Sequence, residues 1–114
     1  MILDDGTVEV FELQECAAQG RKPKKILRPS FEPCFYGELN VGYKRQYAAM
    51  GVSQQVDKLV RIWQNRGIAI GMVAVLDDGQ QYRIDLVQHL TDETGEPVTH
   101  LTLRRLGGFY DVER

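Results

Sequence analysis

Hydrophobic and polar residues alternate over most of this chain, and that period of two predicts strands rather than helices. Residues 7–13, TVEVFEL, place Val8 and Val10 on one face and then shift to Phe11 and Leu13. Such a shift is what a strand shows across a bulge or twist. The stretch 17–25, AAQGRKPKK, carries the Gly, Pro and charge of a loop, and Pro29 and Pro33 restrict segment 26–39 to an edge or irregular strand. Gln55 to Trp63 puts Val56, Val60 and Ile62 on one face and Leu59 and Trp63 on the other, which predicts a long, bulged strand covered on both sides.

The run GMVAVLDDGQQYRIDLVQHL contains Asp78-Gly79, a signal for a two-residue hairpin turn. With those residues as the turn, Asp77 faces Gln80, and the pairs Val75/Tyr82 and Val73/Ile84 share a face with Leu86. A second hairpin joins 82–90 to 98–106 through the polar stretch Asp92–Pro97. Pairing Leu90 with Thr99 sets Gln88 opposite Leu101 and Leu86 opposite Leu103, so the middle strand presents one apolar face to both hairpins. The same register predicts Asp85 beside Arg104 and His89 beside His100.

One segment departs from the β pattern. Asn40 is a suitable cap for a short helix over about 41–50, in which Tyr43, Tyr47 and Met50 fall on one face and Gly51 supplies the stop. So short a helix needs a sheet or a partner to pack on. The expected fold is therefore mainly β: a small antiparallel barrel of five or six strands with one short α-helix. At 114 residues, 43% hydrophobic and 26% charged, the chain reads as a single domain over 1–114 with one core. The segment from about 14 to 33, with Gly20 and three prolines, is expected to be a flexible loop and to be nicked first by protease near Arg21–Arg28.

Charge changes this picture locally. The net charge of −2 gives no general basic footprint for a nucleic acid backbone. Residues 1–20 nevertheless hold five carboxylates (Asp4, Asp5, Glu9, Glu12, Glu15) and no Lys or Arg, while 21–28 hold Arg21, Lys22, Lys24, Lys25 and Arg28. These are either the two solvated faces of a hairpin or complementary patches that meet between neighbouring subunits.

Candidate chemistry is sparse. His89 and His100 side by side would supply two imidazoles, and two ligands do not close a metal site. Cys16 and Cys34 have neither redox-motif nor zinc spacing. Ser30 and Ser53 sit in no nucleophile elbow, Asp77 and Asp78 read as turn residues, and the glycines form no phosphate loop. No catalytic group, cofactor or metal is expected. No apolar run approaches the ~18 residues that a membrane-spanning helix requires, and no apolar leader is evident at the N-terminus. An OB-like nucleic-acid module remains an alternative, since Tyr43, Lys44, Arg45 and Tyr47 interleave rings with cations.

In order along the chain come Tyr36-Gly37, Val41-Gly42-Tyr43 with Arg45, Tyr47 and Ala48, Val56-Asp57 with Val60-Arg61, Gln81-Tyr82-Arg83-Ile84, and Leu101-Thr102-Leu103. This succession, from about Tyr36 to the Tyr110-Asp111-Val112 ending, resembles the small head-closure (stopper) and head–tail joining connector proteins of long-tailed bacteriophages or prophages. The resemblance implies a non-enzymatic virion protein, assembled in the host cytoplasm, that forms a ring with itself at the head–tail junction. It implies portal or adaptor proteins on one side, tail-completion or tail-terminator proteins on the other, and packaged DNA only as a blocked ligand of the channel. Tail completion or termination is the alternative role in the same family, and an adaptor would be mainly helical. Expected interface residues are Arg21, Lys22, Lys24, Lys25, Glu9 and Glu12, with Tyr43, Lys44, Arg45 and Tyr47 of the helix.

Overall fold

A computed structural model describes residues 3–16, 24–39 and 57–112. The described strands are β1 (Gly6–Cys16), β2 (Lys24–Pro29), β3 (Cys34–Glu38), β4 (Lys58–Trp63), β5 (Val73–Leu76), β6 (Gln81–Thr91), β7 (Pro97–Arg105) and β8 (Asp111–Val112). Six of them close on themselves in the order β1-β3-β4-β7-β6-β5, and every pairing around that ring is antiparallel. The expected small barrel is present. The short helix expected over 41–50 lies outside the described residues.

Alternation fills the barrel. Val8 and Val10 of β1, Tyr36 of β3, Val60 and Ile62 of β4, Ala74 and Leu76 of β5, Tyr82 and Ile84 of β6, and Leu101 and Leu103 of β7 form one buried cluster with Ile68. Each large aliphatic side chain taken from water here contributes about 1.5–3 kcal/mol. Closure also leaves these six strands with few unpaired edges, which is how a small sheet avoids edge-to-edge aggregation.

Phe11 and Leu13 belong to a different core. They pack on the opposite side of β1, where Phe11, Leu27 and Val73 are buried with Leu13, Val75, Leu106, Tyr110 and Val112 against them. No bulge produces the change of face. β1 pairs regularly with β5 from Val8↔Leu76 to Phe11↔Val73, and with β2 from Phe11↔Pro29 to Cys16↔Lys24. The strand is simply covered on both sides, first by the barrel interior and then by β2 and the C-terminal segment. Parts of the span 14–33 expected as a loop are therefore strand: Gln14 pairs with Ile26, and Leu13 with Leu27.

The C-terminal segment is clasped by one side chain. The Gln81 amide donates to the Tyr110 carbonyl at 2.8 Å and accepts the Tyr110 N–H at 2.9 Å. Beyond it, β8 lies parallel to β2, with Val112 beside Leu27.

Both hairpins turn over three residues, where the expectation was a two-residue turn at Asp78-Gly79 for the first and a turn within Asp92–Pro97 for the second. In the first, the Leu76 carbonyl accepts the Gly79 N–H at 2.9 Å and the Leu76 N–H donates to the Gln80 carbonyl at 3.3 Å, so the loop is Asp77-Asp78-Gly79. In the second, Asp92 and Glu96 close Glu93-Thr94-Gly95 in the same way, at 3.0 and 2.8 Å. Gly79 (φ 79°) and Gly95 (φ 85°) take the left-handed conformation with which such loops rejoin the strand. The added residue moves each register by one from that expected. Ala74 faces Tyr82 and Val73 faces Arg83; Leu90 faces Val98 and His89 faces Thr99. A bulge at Asp85 then shifts β6 again, so that Ile84 pairs with Leu103 while Val87 pairs with Leu101, and both remain inside. β4, by contrast, runs against β7 without a break from Lys58↔Leu103 to Trp63↔Val98, so the bulge expected in it is absent from its described part.

Candidate interaction surfaces

The alternation that turns Val60, Ile62, Leu101 and Leu103 inward turns their neighbours to the outer wall. The β4–β7–β6 register arranges these as three rows: Leu59–Thr102–Leu86, Arg61–His100–Gln88 and Trp63–Val98–Leu90. Val98 is fully buried, while Trp63 and Leu90 on either side of it are 50% and 40% exposed. On β3, Phe35 alternates with the inward Tyr36 and is 64% exposed. The outer wall thus displays two aromatic rings and a leucine near one end of the barrel.

The middle row is polar, with Arg61 and His100 buried and Gln88 half-buried. Arg61 Nε donates to His100 Nε2 at 3.0 Å, which requires a neutral imidazole with its proton on Nδ1. Burial, and then the Arg61 charge, push the His100 pKa down to about 4, with exposed Glu93, 3.5 Å from Arg61 Nη1, acting in the opposite sense. His100 is thus a weak base whose lone pair is already occupied. A cavity of about 260 Å³ opens here, lined by Arg61, Leu90, Thr91, Asp92, Glu93 and His100. Asp92 shapes its rim: its Oδ1 accepts from Thr94 N and Oγ1 and from Glu96 N, and the Glu96 N–H, as the largest influence, lowers its pKa. The expected His89–His100 pair does not form. With the register moved by one, His89 Nδ1 meets Thr99 Oγ1 at 2.9 Å, and the two imidazoles lie on opposite sides of the sheet. No group of three His, Cys, Asp or Glu suited to a metal occurs among the described residues.

One end of the barrel is acidic. Asp5 accepts the Glu38 N–H and Asp57 the Arg105 N–H, both at 2.6 Å; Tyr36 OH donates to Asp77 at 3.2 Å; Lys58 lies 4.0 Å from Asp78. Burial, followed by the charge of Asp77, raises the Tyr36 pKa to about 12, so its hydroxyl keeps its proton and remains a donor. Gly6 permits this arrangement, because a Cβ there would fall 2.5 Å from the Asp77 carboxylate.

Of the residues expected at an interface, Arg21, Lys22, Tyr43, Lys44, Arg45 and Tyr47 lie outside the described residues. Glu9 and Glu12 are on β1, Lys24 and Lys25 on β2. The hairpin register sets Glu12 opposite Arg28, Glu15 opposite Lys25 and Cys16 opposite Lys24, so the acidic and basic stretches face each other within one hairpin. Glu9 pairs instead with Val75 on the barrel wall. Phe35, Trp63 and Leu90 were not anticipated as surface residues. The available signal was parity: each stands one step out of phase with the inward positions of its strand. No protein-family model matches the chain, and no curated protein is significantly similar to it.

Proposed function

We propose that this chain is a structural protein of a long-tailed bacteriophage head–tail connector, a non-enzymatic subunit of a ring that closes the DNA-filled head and offers the docking surface for the tail. The observation that carries this reading is the display of Phe35, Trp63 and Leu90 on one outer wall. Soluble monomers rarely hold contiguous large apolar side chains in water, and such groups mark contact surfaces. The ordered motifs from Tyr36 to Val112 supply the kind of assembly.

A ring built from one chain needs two different, complementary surfaces. The apolar wall is one, and the acidic barrel end, with Asp5, Asp57, Asp77 and Asp78, is available for a neighbour, the portal side or the tail side. Charges of β1 and β2 face each other within their own hairpin and are less suited to that role. In this reading the protein resides in the virion and meets packaged DNA only as a plug does.

The test is electron microscopy of particles from a phage carrying this gene with an early amber stop. Full heads that leak DNA beside separate, complete tails support head closure. Heads joined to normal tails would sink the connector reading. Complementation with Trp63→Ser or Leu90→Ser, each on a wall outside the barrel core, should reproduce the joining defect with the fold retained by circular dichroism.

A further inference from the structure

A groove on a different wall gathers three cationic side chains. The β5–β6–β7 register puts Val73 opposite Arg83 and Arg83 opposite Arg104 on the side away from the barrel core. Two guanidinium groups directly across neighbouring strands repel each other unless an anion joins them. The bulge residue Asp85 supplies one carboxylate, 3.7 Å from Arg83 Nε and 3.4 Å from Arg104 Nε, with its side chain only 10% exposed. Asp85 Oδ2 is buried without a hydrogen bond among the described residues, so even this contact is loose.

Lys25 of β2 reaches the same groove, a cavity of about 360 Å³ whose other walls include Tyr110, Leu106 and Leu13. Arg83 and Arg104 thus share the Asp85 carboxylate, and Lys25, which stands opposite Glu15 in the β1–β2 register, adds a third cation to the wall. The Arg83 and Arg104 side chains remain 47% and 36% exposed beside Asp85. The Gln81 clasp on Tyr110 holds the aromatic wall in place.

We propose that this groove binds a phosphate group. Arg83 and Arg104 would each present a planar fork to its oxygens, and Lys25 would supply a third charge. A tetrahedral phosphate matches donors converging from three strands, whereas a planar carboxylate offers only two oxygens. The small walled shape suits a single phosphate head rather than a tracked nucleic acid backbone. The phosphate is either free or the monoester of a mononucleotide, whose base could lie on the Tyr110 ring. This inference is independent of the connector reading.

The experiment is an amide NMR titration of the full chain, in phosphate-free buffer at low salt, with inorganic phosphate and with adenosine monophosphate. Saturable shifts centred on Arg83, Arg104, Lys25 and Tyr110 are expected, with Arg104→Gln weakening binding about tenfold, the loss of one charge-assisted contact. Lys25→Gln, at an exposed position outside the barrel ring, should weaken it too and serves where an arginine variant fails to fold. Tighter binding of the nucleotide identifies a monoester, and equal binding identifies free phosphate; either supports the site. No saturation below about 0.1 M, where salt alone screens the groove, would overturn the proposal. So would unchanged affinity in both variants, or far tighter binding of hexaglutamate or a short oligonucleotide, which would assign the groove to an acidic protein segment or to nucleic acid.

Discussion

Acid should destabilise this protein through His100. The imidazole is 2% exposed, accepts a hydrogen bond from Arg61, and is held neutral with a pKa of about 4. The unfolded chain binds the same proton near pH 6.5. Because the folded pKa is depressed, the associated stability is fully present above pH ~6.5 and is lost as the pH falls through about 4. A drop from 6.5 to about 4, at ~1.4 kcal/mol per pH unit, amounts to roughly 3 kcal/mol. That is a large part of the ~5–15 kcal/mol holding a typical domain together. The perturbation is His100→Gln, whose side-chain oxygen can still accept from Arg61 and does not titrate. Urea unfolding at a series of pH values, followed by circular dichroism, should show the wild type losing roughly 3 kcal/mol more than the variant between pH 7 and 4. All other ionisable groups are common to the two proteins and cancel in the difference. Parallel stability curves, or an NMR titration placing the His100 imidazole near 6.5, would refute the reasoning.

Three further outcomes follow from the geometry. Gly95→Ala should cost about 1–2 kcal/mol in urea unfolding, because φ is 85° there, and an unchanged midpoint would argue against the three-residue loop. Gln81→Ala removes both hydrogen bonds to Tyr110 and should cost about 1–3 kcal/mol; hydrogen exchange should quicken over 106–112 more than in β4 and β7, and uniform loss of protection would contradict the clasp. Leu101→Ala opens a cavity in the fully buried barrel centre and should lower stability by about 2–5 kcal/mol; a loss below ~1 kcal/mol would mean that the centre is not packed as described.

Local pattern carried much of the β architecture. Val60 and Ile62 against Leu59, or Tyr82 and Ile84 in a row, announce strands and an inward face whatever surrounds them, since alternation is a property of the extended backbone. Gly79 and Gly95 likewise mark their turns. Neither says how long the loop is, because a left-handed glycine serves two-residue and three-residue hairpins alike. A single added residue then reverses which side each partner faces. The two-residue turn expected at Asp78-Gly79 puts Val73 and Val75 on one face with Tyr82 and Ile84, whereas they pack in the outer cluster with Phe11 and Leu27.

By itself, then, the sequence determined most of the strand-forming segments, the turn positions, the absence of familiar catalytic motifs and the charge contrast between 1–20 and 21–28. Those features depend on residues a few places apart. Only the tertiary structure decided that β1 closes on β3, that Asp85 bulges to keep Ile84 and Val87 inside, and that His100 lies under Arg61 rather than beside His89. It also decided that Arg83, Arg104 and Lys25 share one groove. These are meetings of residues tens of positions apart, and they are selected by which register buries two apolar faces at once, a condition that no single segment can express.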